Sequence, residues 1–240
     1  MDMSWLFNTP IAHRGLWDEN TPENSLGAYK NAIAIGMNIE IDVHLLPDGD
    51  FAVFHDGNLK RVCGEDIKVN TINSSELKNH KLMTKSGVVT DYYIPTLREV
   101  LDLVDGQVGL LIEMKDISNK NDSCKKLAEY LKDYKGNYAM QSFGGWAMAW
   151  WRKHTTGIPV GILSTFPLSA MLPCWQRSVK PDFLSYDIRR LPDWYITRRQ
   201  KKGTPLLAWT IRTEELYNKC KEVGVDNVIY ETIRPTEYKK

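Results

Sequence analysis

Apolar and polar positions alternate most clearly along Asn38-Ile39-Glu40-Ile41-Asp42-Val43-His44. Side chains of a strand point to opposite faces in turn. The pattern therefore predicts a strand with Ile39, Ile41 and Val43 on one face and Glu40, Asp42 and His44 on the other. Pro47-Asp48-Gly49-Asp50 predicts a four-residue turn, and Phe51 to His55 would return as the second arm of a hairpin. With Leu46 opposite Phe51, His44 falls opposite Val53 and Asp42 opposite His55, so the hairpin brings a second imidazole to the acidic face. Two neighbouring carboxylates repel each other, and a hard cation is the commonest way to make such a face favourable. The competing reading is a plain solvated strand face.

The flanking patterns decide the fold class. Pro10-Ile11-Ala12-His13-Arg14-Gly15 reads as a first strand with His13 and Arg14 at its carboxyl end. Polar capping residues then precede Leu26, Tyr29, Ala32 and Ile33 at helical spacing, with a stop near Gly36. Residues 57–93 are polar and weakly periodic, apart from a short helical pattern at 74–79. A connection of that length predicts a cap over the site that lacks a core of its own. A helix opens at Pro95-Thr96-Leu97. Strands follow at 109–115, 138–143, 159–164, 183–188, 206–211 and 227–230, with helices at 122–134, 146–154, 193–201 and 213–223. About eight strand–helix units predict an α/β fold, a TIM-type (β/α)8 barrel with a small insertion after the second strand. An open doubly wound sheet is the alternative. The expected organisation is a single barrel domain over 1–240 with the insertion at about 57–94. No Gly-x-Gly-x-x-Gly follows a strand and no Walker loop is present, which takes support from nucleotide binding.

Composition narrows the chemistry. A formal charge of +1 over 240 residues argues against a nucleic-acid partner. The amino terminus has no secretory pattern, and no run is long and apolar enough to span a bilayer. Cys63, Cys124, Cys174 and Cys220 are scattered without a Cys-x-x-Cys pair, so a zinc site or disulfide framework is not expected, and a reducing cytoplasmic location is. The helical stretch 145–154 is rich in tryptophan. Trp146 and Trp150 share a face expected to pack on the barrel, and a homodimer or lipid contact is the lesser alternative.

Barrel enzymes carry their chemistry at the carboxyl ends of the strands. Here those ends hold His13 and Arg14, Glu40 and Asp42, Glu113 and Lys115, Gln141, Tyr186 and Trp209. Each pair alone reads as an ion pair or a capped strand end; their convergence is harder to explain that way. Three carboxylates suit one divalent ion, two cations suit an anion, and two imidazoles supply an acid and a base. Together they point to phosphodiester cleavage, in which negative charge spreads over phosphoryl oxygens.

The motifs His13-Arg14-Gly15, Pro22-Glu23-Asn24, Glu40-Ile41-Asp42, Asp48-Gly49, His55-Asp56, the Leu59, Arg61, Gly64 run, Pro95-Thr96-Leu97, Glu113-Met114-Lys115, Ser142-Phe143 and Trp209-Thr210 resemble the glycerophosphodiester phosphodiesterase family. The resemblance runs from about His13 to Gly224. It implies a phosphodiesterase barrel that binds one Ca2+ or Mg2+ through Glu40, Asp42 and Glu113. It further implies that His13 and His55 are the acid–base pair, that Arg14 and Lys115 bind phosphate, and that Glu23 orients this cluster or meets the glycerol. Gln141 and Trp209 are the remaining candidates for substrate contact. The expected reaction splits a small-molecule glycerophosphodiester into glycerol 3-phosphate and an alcohol. A lysophospholipase D-like or sphingomyelinase D-like lipid phosphodiesterase and a non-catalytic glycerophosphate-binding barrel are the alternatives. Two departures stand out. Leu46-Pro47 stands where the family often has threonine–lysine, and where the family's last strand commonly ends threonine–aspartate with proline two on, this chain reads Tyr230-Glu231-Thr232-Ile233-Arg234-Pro235, which leaves the role of the last loop open.

Overall fold

The computed structural model describes residues 2–115, 120–165 and 179–231. Cys174 and residues 232–235 of the last loop lie outside the described residues. Eight parallel strands close into a ring in the order β1 (Ile11–His13), β2 (Asn38–Leu45), β6 (Leu110–Met114), β7 (Tyr138–Ser142), β8 (Val160–Ser164), β9 (Phe183–Asp187), β10 (Leu206–Ile211) and β11 (Asn227–Tyr230), with β11 paired back to β1. A short β3 (Phe51–Val53) pairs antiparallel with the end of β2. The barrel read from strand–helix alternation is therefore present, and the open sheet is not.

Period two along the strands divides their side chains between two compartments. Ile39, Ile41, Leu110, Ile112 and Met140 belong to the large apolar cluster between ring and helices. Ile11, Leu111, Ala139, Phe183, Leu207 and Ile229 form the cluster inside the ring. Two residues further along the same inward rows come His13, Glu113, Gln141 and Trp209, with Glu40 two beyond Asn38. The barrel thus carries an apolar floor below a polar layer at the carboxyl ends of its strands.

The floor is sealed from below by α1 (Ser4–Asn8), which the sequence pattern did not predict because five residues are too few to show a period. Leu6 enters the interior cluster. The Asn38 side-chain amide donates to the Trp5 carbonyl at 2.8 Å, and that of Asn227 to the Leu6 carbonyl at 2.7 Å. Gly109 is required here, since a Cβ on it would lie 2.1 Å from Trp5 Cε3. Gly109→Ala should destabilise the protein by about 1–3 kcal/mol through overpacking. A urea titration checks this, and an unchanged midpoint would show that α1 yields freely.

The hairpin closes more tightly than the sequence reading had it. The Leu46 amide donates to the Asp50 carbonyl, and Gly49 adopts φ +91°, so three residues rather than four make the turn. The register shifts by one: Leu45 faces Phe51, His44 faces Ala52 and Val43 faces Val53. Phe54, not His55, comes opposite Asp42, with its amide on the Asp42 carbonyl at 3.0 Å. His55 follows the end of the strand, on the loop.

The segment after β3 also differs from expectation. It contains α3 (Lys60–Cys63), 3₁₀ turns at Val69–Thr71 and Ser74–Asn79, and a hairpin of β4 (Lys81–Met83) and β5 (Val89–Tyr93). Far from lacking a core, Leu59, Val62, Val69, Ile72, Leu77 and Leu82 cluster with Leu46, Ala52 and Phe54 of the barrel hairpin. These contacts are dispersed along the chain, so they leave no local period. The segment shares its core with the barrel hairpin, and removing it would uncover Phe54.

Among the described residues the remaining helices are α2 (Leu26–Ala34), α4 (Leu97–Val104), α5 (Lys120–Leu131), α6 (Gly145–His154), α7 (Trp194–Gln200) and α8 (Glu214–Val223). In α6 the fully buried tryptophan is Trp151, alongside Ala147 and Met148; Trp146 and Trp150 pack only partly buried against the same cluster. Trp150 instead stacks on His154, with ring centroids 4.5 Å apart. Among the described residues no helix is long and apolar enough to cross a membrane.

Candidate active site

The barrel mouth holds a cavity of about 270 Å³ lined by His13, Arg14, Glu40, His55, Glu113, Lys115, Gln141, Phe143, Leu163, Arg189, Trp209, Thr210, Arg212 and Ile229. Nine of the ten residues given metal, catalytic or substrate roles from the sequence meet at or beside it. Asp42 is fully buried just beneath. Glu23 stands behind Arg14 and is not part of the wall.

Glu40, Asp42 and Glu113 are all buried and offer carboxylate oxygens within 4.8 Å of one another. Burial first, then the charges of Asp42 and Glu113, push the Glu40 carboxyl well above its ordinary range. Burial would raise Asp42 as well, but Lys115 and Arg14 outweigh it and hold that carboxyl low. Asp42 Oδ1 is buried and accepts no hydrogen bond, with Lys115 Nζ no closer than 3.3 Å. Clustered hard oxygens with an orphaned acceptor suit a divalent cation.

The cations are held by these same carboxylates. Lys115 Nζ lies 2.7 Å from Glu113 Oε1. The Arg14 amide donates to Glu40 at 3.1 Å, Nε approaches Asp42 at 3.4 Å, and Nη1 donates to Glu23 at 2.7 Å. Arg14 has φ +60°, a left-handed conformation that turns the chain after β1 so that amide and guanidinium both reach the acidic cluster. Asn24, which the sequence reading placed only within a motif, donates to Asp42 Oδ2 at 3.0 Å and accepts from the Tyr29 hydroxyl at 2.8 Å.

Each histidine has a carboxylate on Nδ1. His13 Nδ1 is 3.0 Å from Glu231, and His55 Nδ1 is 2.6 Å from Asp56. A carboxylate only accepts, so Nδ1 donates in both rings and Nε2 is left for other partners. His44, expected to face the site, is not in the cavity wall; its Nε2 donates to the His55 carbonyl at 3.2 Å and so fixes the loop. Tyr186 is also absent from the wall. It belongs to the outer cluster, and its hydroxyl donates to Asp193.

Arg61, from α3, ties the two halves together. It donates to Asp56 at 2.7 Å and to Glu23 at 2.6 Å, giving a chain from His55 through Asp56, Arg61 and Glu23 to Arg14. Arg61→Ala should therefore lower kcat/KM about 10-fold, in the range of losses from outer-shell partners, with the fold kept. Unchanged kcat/KM would show that Glu23 and Asp56 hold their partners unaided.

The chain matches the glycerophosphoryl diester phosphodiesterase family over residues 13–234. It belongs to that family. A glycerophosphodiester phosphodiesterase of Caldanaerobacter subterraneus subsp. tengcongensis is 28% identical over 228 residues, 91% of this chain and 92% of the relative. A rat (Rattus norvegicus) lysophospholipase D is 33% identical over 135 residues, 52% of this chain and 41% of the relative. Among solved structures, a Thermotoga maritima glycerophosphodiester phosphodiesterase has 27% identity and a TM-score of 0.71, covering 92% of this chain and 94% of that one. An Oleispira antarctica phosphodiesterase in complex with the product sn-glycerol-3-phosphate has 24% identity and a TM-score of 0.80, covering 94% and 93%. As a member of the family, the chain is a phosphoric diester hydrolase that splits glycerophosphodiesters into glycerol 3-phosphate and an alcohol.

Proposed function

We propose that this hydrolysis runs at the barrel mouth, with Arg14 and Lys115 gripping the phosphoryl group and His13 and His55 moving the protons. The observation that carries the reading is the acidic cluster of Glu40, Asp42 and Glu113 meeting two cations and two carboxylate-held imidazoles around one cavity. Glu40, Asp42 and Glu113 would hold one Ca2+ or Mg2+. Such an ion neutralises the carboxylates and polarises a phosphoryl oxygen.

Arg14 presents a planar fork suited to phosphate and Lys115 a point charge, which together stabilise the charge that develops on the phosphoryl oxygens. The attacking oxygen is water or the hydroxyl next to the phosphate on the glycerol. One imidazole takes its proton through Nε2 and the other gives a proton to the departing alcohol. Glu23 is fully engaged with Arg14 and Arg61, which supports an orienting role for it over glycerol contact. Gln141 Oε1 and Trp209 Nε1 border the cavity, are buried and have no hydrogen-bond partner. A buried polar atom is costly unless paired, so an acceptor and a donor here suit glycerol hydroxyls. The described cysteines Cys63, Cys124 and Cys220 are free, which supports a cytoplasmic setting.

A lysophospholipase D-like activity is the second reading. It is favoured by the apolar wall of Phe143, Leu163, Trp209 and Ile229 and by the likeness of half the chain to lysophospholipases D. Product analysis on a panel of glycerophosphodiesters and lysophospholipids with added Mg2+ or Ca2+ separates the two. Release of glycerol 3-phosphate from the water-soluble diesters is expected, and turnover of lysolipids alone would reverse the order.

A further inference from the structure

His13, Arg212 and Glu231 stand at the carboxyl ends of three neighbouring strands, β1, β10 and β11. Glu231 reaches His13 Nδ1 with Oε2 at 3.0 Å, and Arg212 grips both oxygens of the same carboxylate, each at 2.7 Å. The glutamate side chain is only 10% exposed although it carries a charge. We propose that Glu231, clamped by Arg212, is a positioning residue that fixes the tautomer and ring orientation of His13 for proton transfer. This deepens the acid–base reading of His13 and rests on it.

The geometry argues for this beyond a structural strap. An ion pair that only closed the barrel would need Arg212 and Glu231, and β10 and β11 are already joined there by the Glu231 amide on the Ile211 carbonyl at 3.0 Å. The pair instead extends across the strand gap to an imidazole in the cavity wall. An accepting carboxylate on Nδ1 leaves Nε2 as the atom that faces proton transfer. A bidentate arginine fork removes the freedom of the carboxylate to rotate away. His55 has the same arrangement from unrelated residues, with Asp56 on Nδ1 and Arg61 gripping Asp56 through both oxygens. The recurrence of imidazole, carboxylate and arginine at both ring sites is hard to explain by barrel closure, since Asp56 and Arg61 join no barrel strands.

The experiment compares Glu231→Gln, Glu231→Asp, Arg212→Gln and His13→Ala in the metal-loaded full chain, with kcat and KM on a glycerophosphodiester and ring 15N NMR of His13. Glu231→Gln should lose on the order of 10²–10⁴-fold in kcat with KM little changed, as when an imidazole loses its orienting carboxylate. Glu231→Asp should recover part of that loss. Arg212→Gln, which leaves the carboxylate in place, should lose about 10-fold or less, and it serves as the readout if the Glu231 variants do not fold. The His13 Nδ1 resonance should shift in Glu231→Gln. Near wild-type kcat in Glu231→Gln beside an inactive His13→Ala would overturn the positioning role while leaving the acid–base reading intact. A kcat loss with an unchanged His13 resonance and no recovery by aspartate would overturn it too, by making Glu231 a fold element. Full activity in His13→Ala would overturn the acid–base reading itself.

Discussion

Excess chelator is expected to abolish turnover, and added Mg2+ or Ca2+ to restore it. The reason is the balance of charge in the barrel mouth. Glu40, Asp42 and Glu113 bring three carboxyls into a buried cluster, while Lys115 and Arg14 contribute only two positive charges beside it. Without a cation the cluster relieves its repulsion by keeping a proton, and burial together with Asp42 and Glu113 directs that proton to Glu40. A cation must displace it, so affinity should fall as pH falls through the raised range of Glu40. The stability of the metal-free protein follows the same sign. A carboxyl with a raised folded-state value binds more protons folded than unfolded. Its contribution is fully present below the ordinary carboxylate range and is lost as pH rises through the raised value. Thermal melts should therefore show a larger gain from Mg2+ or Ca2+ above the raised range of Glu40 than below it. Asp42→Ala should weaken cation binding by on the order of 10–100-fold or more, since even outer-shell losses reach that size. Full activity in chelator would remove the metal from the reading, and a melting gain independent of pH would show that the cation displaces no proton from Glu40.

The parts of the site that local pattern can encode were legible. Alternation along 38–44 placed Glu40 and Asp42 on the inward face, and the same period placed Glu113 and Lys115 together at the carboxyl end of β6. Repeated strand–helix units gave the ring. What escaped was set by contacts distant in sequence or by a single residue of turn geometry. The hairpin register shifted because Gly49 allows a three-residue turn, which moved His55 off the strand and gave His44 its carbonyl to hold. The segment between β3 and α4 looked coreless because Leu59, Val62, Val69, Ile72 and Leu82 have no common period and meet only against the hairpin. Glu231 was visible as a departure, but its partner His13 lies 218 residues earlier, and only closure of β11 onto β1 joins them. Arg61 likewise stood within a motif, while its grip on Glu23, 38 residues away, required the folded insertion.

Leaving-group chemistry should assign the two histidines. An alkoxide leaves poorly, so hydrolysis of an alkyl diester needs a proton donor; a nitrophenolate needs almost none. His55 is expected to be the base and His13 the acid. His55 is about one-third exposed and lies within the field of Asp42. His13 is partly buried in the cavity wall, and that burial lowers its affinity for a proton while Glu231 partly restores it. That balance suits a group that must surrender its proton to the departing oxygen. His13→Ala should therefore lose roughly 10²–10⁴-fold on a glycerophosphodiester with an alkyl alcohol, yet far less on a nitrophenyl diester. His55→Ala should be slow on both, because neither substrate spares the attacking oxygen its deprotonation. Steady-state kcat/KM for both variants on both substrates, measured with saturating metal, gives four numbers. The opposite pattern would exchange the two roles. Equal losses throughout would mean that the imidazoles serve to bind rather than to transfer protons, and that a water held elsewhere in the mouth carries the protons instead.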